Sequence, residues 1–89
     1  ISDDAAVIRE MAMIKVHCKP GTRSEIHDLA NIYRAQIIDV ALESMIIEIT
    51  GTQDKVDSLI DLLRPFGIKE ISRTGSMGMV RGLSGITNG

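Results

Sequence analysis

The side chains of this chain that could carry out chemistry are few, and most of them lie near its start. Cys18 is the only cysteine, and His17 and His27 are the only histidines among 89 residues. Thiolate and imidazole groups bind zinc when four ligands converge. His17 and Cys18 are adjacent in a segment with a strand pattern, so their side chains point to opposite faces and cannot chelate one ion. We therefore expect no metal site, and we expect Cys18 to pack in the core.

Catalysis by the thiol or by the carboxylates is not indicated either. A thiol in the middle of a buried strand is unreactive. Asp57 and Asp61 are four residues apart within a helical pattern. This spacing is more typical of a charged helix face than of an acid/base pair. We expect no catalytic residue and no bound cofactor in this chain.

The loop over residues 17–23 is the best candidate for binding an anion or an amino acid. It leads into a helix N-terminus, where amide groups are free, and Lys19 and Arg23 flank it. Gly21 would let the backbone approach a ligand, and Thr22 completes the candidate site. A Pro-Gly turn followed by a helix cap explains the same residues without a ligand. Both interpretations stay open on the sequence alone.

Two copies of one helical pattern, thirty positions apart, indicate the helices of the domain that must position the candidate residues. Each copy places apolar residues at i, i+3, i+4 and i+7: Ile26, Leu29, Ala30 and Tyr33, then Val56, Leu59, Ile60 and Leu63. Thr22 and Thr52 are the predicted N-caps, and Glu25 would complete a capping box with Thr22. Pro65 and Gly67 predict the end of the second helix.

Four predicted strands surround the two helices. They cover approximately Glu10–Lys19, Ala35–Leu42, Met45–Gly51 and Ile68–Thr74. The order β-α-β-β-α-β predicts an α+β fold of the ferredoxin-like type, a two-layer sandwich in which two helices cover one face of a four-stranded antiparallel sheet. We expect residues 1–8 to be an N-terminal lead-in and residues 9–75 to form this domain. Residues 76–89 are predicted to be a glycine-rich strand extension, including Met79 to Arg81, and a mobile tail.

The alternation of side chains along the strands predicts an apolar patch on the face that the helices leave open. Each strand has two sets of alternate side chains, and the set with more apolar residues is expected to face the helices. This assigns Ile38, Val40 and Leu42 to the helix side. The remaining sets place Met11, Met13, Ile37 and Ile46 together on the open face. A contiguous apolar patch is typical of a contact surface, whereas scattered single apolar residues need no explanation. We expect a protein interface here, with a homodimer formed through the sheet face.

Composition excludes several other partners. Ten basic and twelve acidic residues give a net charge of −2, which does not favour a phosphate backbone. Tyr33 and Phe66 are the only aromatic residues, and the predicted central strands offer none on which RNA bases could stack. No apolar run approaches the roughly 20 residues of a membrane helix. With one cysteine and no signal-peptide pattern, we expect a cytoplasmic protein that binds neither nucleic acid nor membrane. A start at Ile1 suggests a piece of a longer protein.

Four segments in unbroken order carry a resemblance to a known family. They are REMAMIKV (Arg9–Val16), IYRAQIIDV (Ile32–Val40), IIEITGTQDKVDSLID (Ile46–Asp61) and LLRPFGIKEISRTG (Leu62–Gly75). From about Arg9 to Gly82 the chain resembles the C-terminal domain of the small, regulatory subunit of acetohydroxyacid (acetolactate) synthase. The chain departs from the family pattern after Gly75, where it has Ser76 and Gly78.

The resemblance implies a non-catalytic, ACT-like domain that supports assembly, activation and feedback control of a catalytic subunit in valine and isoleucine biosynthesis. That subunit carries thiamine diphosphate, Mg²⁺ and FAD in this family. An N-terminal ACT domain, whose interfaces bind valine or a related effector, precedes the similar domain. No effector or catalytic residue of the family falls on this chain. The alternative, a ligand-sensing module that binds at residues 19–23, remains open.

Overall fold

The computed structural model describes residues 5–82 and contains the predicted helices and strands in the predicted order. Two short 3-10 turns, Pro20–Thr22 and Arg64–Phe66, flank the helices. The elements are β1 (Ala6–His17), α1 (Arg23–Ile32), β2 (Gln36–Val40), β3 (Ser44–Gly51), α2 (Gln53–Leu63), β4 (Ile68–Arg73) and β5 (Met77–Val80). The α+β class is confirmed.

The sheet has five antiparallel strands where the sequence predicts four. Strand order is β2-β3-β1-β4, and β5 also pairs with β1. The predicted lead-in overlaps β1, which begins at Ala6, and the predicted extension of the last strand is a separate strand, Met77–Val80. The mobile tail predicted after Gly82 and the first four residues lie outside the described residues.

Strands β4 and β5 follow one another along the same edge of β1. The carbonyl of Met11 accepts a hydrogen bond from the Thr74 amide, and the carbonyl of Ala5 accepts one from the Arg81 amide, both at 3.0 Å. Alternate residues of a strand direct their backbone groups to the same edge. The backbone N–H and C=O groups of the odd-numbered residues of β1 therefore point toward β4 and then β5. Pairing of β3 with the other edge ends at Glu10 opposite Gly51. Residues 6–9 and 77–80 therefore extend beyond β3 as a two-stranded unit, the terminal ribbon.

The core lies between the two helices and one face of the sheet, as the apolar stripes predict. Ile14 of β1, Ile47 of β3 and Leu59 of α2 are fully buried in its centre. Burial of each such side chain stabilises the fold by about 2 kcal/mol. The core cluster consists of Ala12, Ile14, Val16, Cys18, Ile26, Ala30, Met45, Ile47, Ile49, Val56, Leu59, Ile60 and Leu63. The prediction that Cys18 packs in the core is thus confirmed.

The two threonines predicted as helix caps have different roles. Thr52 caps α2, because its Oγ1 accepts a hydrogen bond from the Lys55 amide at 3.3 Å. Thr22 lies at the predicted N-cap position of α1, but its side chain makes no cap bond to this helix. The Thr22 hydroxyl instead closes the preceding 3-10 turn, accepting from the Lys19 amide at 3.1 Å and donating to the Lys19 carbonyl at 3.2 Å. The capping box with Glu25 does not form because Pro20–Thr22 begins the helical segment one turn earlier.

A network of charged side chains joins β1, β4 and α2 where the terminal ribbon leaves the sheet. Glu10 is only 4% exposed, although it is charged. Arg73 donates to its carboxylate from Nε at 2.8 Å and from Nη2, and a third nitrogen, Nη1, lies 2.8 Å from Asp57 Oδ1. These hydrogen bonds, first to Glu10 and then to Asp57, raise the pKa of Arg73 above its ordinary value. The guanidinium therefore loses its proton even less readily than that of a free arginine side chain.

The two residues after Arg73 direct the chain into the terminal ribbon. The Thr74 hydroxyl accepts a hydrogen bond from the Met11 amide at 3.0 Å, and the Thr74 amide returns one to the Met11 carbonyl. Gly75 follows with φ of 79°, a left-handed conformation that residues with a side chain rarely adopt. The Arg-Thr-Gly run thus anchors β4, ends its pairing and turns the chain toward β5.

We predict that Arg73→Met destabilises the domain by roughly 2–4 kcal/mol, because it leaves the Glu10 carboxylate buried without its cation. Arg64→Met is the matched control, since Arg64 pairs with Asp61 at 3.4 Å on the exposed surface and should cost less than about 1 kcal/mol. Adding Glu10→Gln to Arg73→Met should recover part of the loss. Urea unfolding measures all four proteins. Equal losses for the two arginine variants would contradict the structural role given to Arg73.

Candidate functional site

The uncovered face of the sheet has an apolar centre crossed by one ion pair. Met13 lies between Glu48 of β3 and Ser72 of β4, and the next row places Lys15 between Ile46 and Glu70. Lys15 Nζ is 3.4 Å from Glu70 Oε2. A shallow depression of about 170 Å³ opens between these rows and is lined by Met13, Lys15, Ile38, Ile46, Glu70 and Ser72.

The sequence correctly assigns Met11, Met13 and Ile46 to this face, but the placement of Ile37 is wrong. Ile37 lies opposite Ile47 and packs against the core under the helices. A register shift between Ile37 and Asp39 places an extra residue in β2, which reverses the alternation at this point. Ile38 consequently lines the open face, where the sequence predicts Ile37.

The arrangement suits contact with another surface better than it suits catalysis. Met13 is 43% exposed in the middle of a sheet, where a flexible thioether side chain adapts to the shape of a partner. The Lys15–Glu70 pair is solvent-exposed, and such pairs contribute only about 0.2–1 kcal/mol. It therefore costs little to rearrange when a second surface approaches. We call Met11, Met13, Ile38, Ile46 and the Lys15–Glu70 pair the open face.

The open face continues along β1 onto one side of the terminal ribbon. Val7 lies opposite Met79 and Arg9 lies opposite Met77, with the same parity as Met11. Both of these methionines are exposed, and Met79 is 81% accessible. Four of the five methionines of the chain are thus solvent-accessible on this one continuous side. The fifth is buried in the core.

The loop predicted to hold an anion does not gather all four of its candidate residues. Lys19 and Thr22 border a shallow cavity with Phe66, whereas Arg23 does not line it. The Arg23 guanidinium donates from Nη2 to the carbonyl of Leu42 at 2.9 Å and therefore holds the connection between β2 and β3. Gly21 is exposed, and the amides of Lys19 and Thr22 are used within the turn itself. Binding of a ligand by these residues stays a prediction.

Within residues 5–82 no three His, Cys, Asp or Glu side chains come together in a way that could hold a metal ion. In the same part of the chain, no helix combines the length and apolarity that crossing a membrane requires.

Sequence reasoning did not identify the buried network of Glu10, Arg73 and Asp57. A signal for it was present, because Glu10 has the same parity in β1 as the core residues Ala12 and Ile14. A carboxylate at a core position is rarely left without a cation. The sequence alone does not say which cation, since Arg73 is 63 residues away along the chain.

Comparison with known proteins agrees with the resemblance in the sequence. A family model described as the small subunit of acetolactate synthase matches residues 9–82. A probable acetolactate synthase small subunit from Archaeoglobus fulgidus is 53% identical over 79 residues, which cover 89% of this chain and 50% of the relative. The acetolactate synthase small subunit of Bacillus subtilis is 44% identical over 82 residues, which cover 92% of this chain and 48% of the relative.

A solved structure agrees as well. The crystal structure of the acetolactate synthase small subunit from Thermotoga maritima superimposes with a TM-score of 0.84 at 46% identity, covering 89% of this chain and 48% of that one. The chain thus spans about half the length of the relatives that it matches. Because the family model covers most of the sequence, this chain belongs to the family of acetolactate synthase small subunits.

Proposed function

We propose that this chain is a regulatory-subunit domain of acetolactate synthase, without catalysis of its own, that acts through protein contacts. In this role it supports assembly, activation and feedback control of the catalytic subunit. Family membership supports the regulatory assignment, because the relatives are named as small subunits of this enzyme. The observation that carries the contact mechanism is the open face, a sheet surface with exposed methionines and a weak, rearrangeable ion pair.

On this proposal the cofactors belong to the partner. Thiamine diphosphate, Mg²⁺ and FAD would be bound by the catalytic subunit, in the cytoplasm, and this chain would contribute no ligand to them. The family resemblance is the support for this division. Strand order β2-β3-β1-β4 with two helices on one side further supports a ferredoxin-like, ACT-like assignment of the domain, to which β5 is an addition.

We further propose that two copies of the domain associate through their open faces. Burial of Met13 and Ile46 against the same residues of a second copy would remove apolar surface from water, which favours association. A two-fold arrangement is isologous, so the Lys15–Glu70 pair of one copy could exchange partners with that of the other. Charges of both signs in one patch make such an exchange favourable, whereas a patch of one sign would repel its own copy.

We predict that Met13→Glu weakens self-association of the chain by at least roughly tenfold, because it places a carboxylate next to Glu48 in the centre of the contact. Ile32→Glu is the matched control, since Ile32 lies in α1 and is 74% exposed outside the open face. Sedimentation equilibrium over a range of concentrations gives both dissociation constants. A chain that stays monomeric, or two variants with the same constant, would contradict dimerisation through the open face.

The regulatory role itself requires a test with the catalytic subunit. We expect purified catalytic subunit to bind this chain and to form acetolactate faster with it than without it, and we expect Met13→Glu to reduce the effect more than Ile32→Glu. Pull-down and a colorimetric acetolactate assay measure the two steps. If the wild-type chain neither binds nor changes the rate, the proposed role is wrong. Calorimetric titration with valine should show no binding to this chain alone, and a clear isotherm would favour a ligand-sensing module.

A further inference from the structure

The outer edge of β5 differs from the outer edges of β2 and β4. Natural edge strands avoid pairing with other molecules through bulges and charged side chains. The outer strand β2 has a bulge before Asp39. Strand β4 carries the charged residues Lys69 and Glu70, and the register of its pairing with β1 shifts at Lys15. Strand β5 has the sequence Met-Gly-Met-Val, without a charge or a register shift. Of these edges, that of β5 is the one without protection against strand addition.

The backbone groups on this edge can be assigned from one hydrogen bond. The Arg81 amide donates to the Ala5 carbonyl at 3.0 Å, so Arg81 and, by alternation, Met79 and Met77 direct their backbone groups toward β1. The N–H and C=O groups of Gly78 and Val80 therefore point outward. Both residues are solvent-exposed, and within the described residues no strand pairs with this edge.

A ribbon of two strands is at best marginally stable in water unless something packs against it. Met77 and Met79 are among the most exposed large apolar side chains of the described residues, and both lie on this short strand. A further strand added at the edge would satisfy the outward backbone groups and place its own side chains beside these methionines. The observations therefore call for an extended segment as the occupant.

We infer that this segment is β5 of a second copy, paired antiparallel to β5 of the first about a two-fold axis near Met79. In this register Gly78 of each copy forms the hydrogen-bonded pair with Val80 of the other, and the absence of a side chain at Gly78 leaves room for the valine. The two Met79 side chains meet directly on one face. The four strand residues are uncharged, so the two-fold axis opposes no like charges within them. The same operation on β2 would bring two copies of Asp39 close together.

This edge contact is separate from the contact proposed for the open face, and the two can be distinguished. The variant Met13→Glu is expected to prevent association through the open face, but it leaves β5 unchanged. The edge contact is therefore tested in chains that carry this substitution. The contact is small, because each copy contributes only four residues, and association is expected to be weak.

Hydrogen exchange of the full 89-residue chain provides the first test. Between dilute and millimolar protein, we expect exchange of the Gly78 and Val80 amides to slow by roughly tenfold, because these amides become hydrogen-bonded only in the dimer. The amides of Met77 and Met79 bond to β1 in either state and should not change. A monomer at every concentration, or a dimer in which Gly78 and Val80 exchange at the monomer rate, would overturn the inference.

A pair of variants provides the second test. Val80→Pro removes an N–H group that points outward, and the proline ring blocks the edge of β5. No backbone hydrogen bond to β1 is lost, because the backbone groups of Val80 point away from β1. Val80→Thr keeps the N–H and a β-branched side chain, and serves as the control. We expect Val80→Pro to raise the dissociation constant at least about tenfold relative to Val80→Thr. Equal constants for the two would overturn the inference, and the exchange experiment on the unmodified strand decides the matter if Val80→Pro fails to fold.

Discussion

The structure depends on one long central strand. β1 has twelve residues and pairs with β3 along one edge and with β4 and then β5 along the other. Its even-numbered side chains form the middle of the core, and its odd-numbered side chains form the middle of the open face. Because side chains alternate strictly along an extended strand, a shift of β1 by one residue would exchange these two surfaces completely. Core packing therefore also determines which residues are presented to a partner.

The charged network marks the point at which the apolar core ends. On the N-terminal side of Glu10, β1 has no β3 residue opposite it. Little apolar surface is therefore available to hold β4 and α2 in place there. The Arg73 guanidinium replaces that packing with directed hydrogen bonds to Glu10 in β1 and Asp57 in α2. Charge-assisted bonds of this geometry are stronger than neutral ones and specify orientation as well as proximity. The position of the terminal ribbon follows from this anchor together with the turn at Gly75.

On the proposed function the domain needs no reactive group, because its effect on a partner requires only a difference in binding between two states of that partner. Methionine is well suited to such a surface, since its unbranched side chain fits partners of different shape. The open face and the terminal ribbon together provide a continuous surface along β1. The two contacts proposed above, one through a face and one through an edge, have different directions and would let copies of the domain assemble around the proposed catalytic partner.

Most of the secondary structure could be predicted because it depends on local periodicity. Apolar residues at helical spacing predict α1 and α2, and the cap at Thr52 and the stop at Pro65 and Gly67 are short-range effects. The duplicated pattern and the hairpin further restrict the topology to an α+β sandwich. The side of β1 that faces the core also follows from the sequence, because an unbroken strand alternates regularly.

Tertiary structure decided the remainder, since it depends on residues that are distant in sequence. The bulge in β2 that exchanges Ile37 and Ile38 reflects pairing with β3, and alternation within β2 alone does not reveal it. Arg23 binds carbonyls of the β2–β3 connection, which removes its side chain from the predicted ligand loop. Glu10 meets Arg73 only after β1 and β4 have paired. The sequence by itself determined which segments form helices and strands and that the open face carries apolar residues. Register and long-range charge pairing exist only in the assembled sheet, and they decided where the candidate side chains lie.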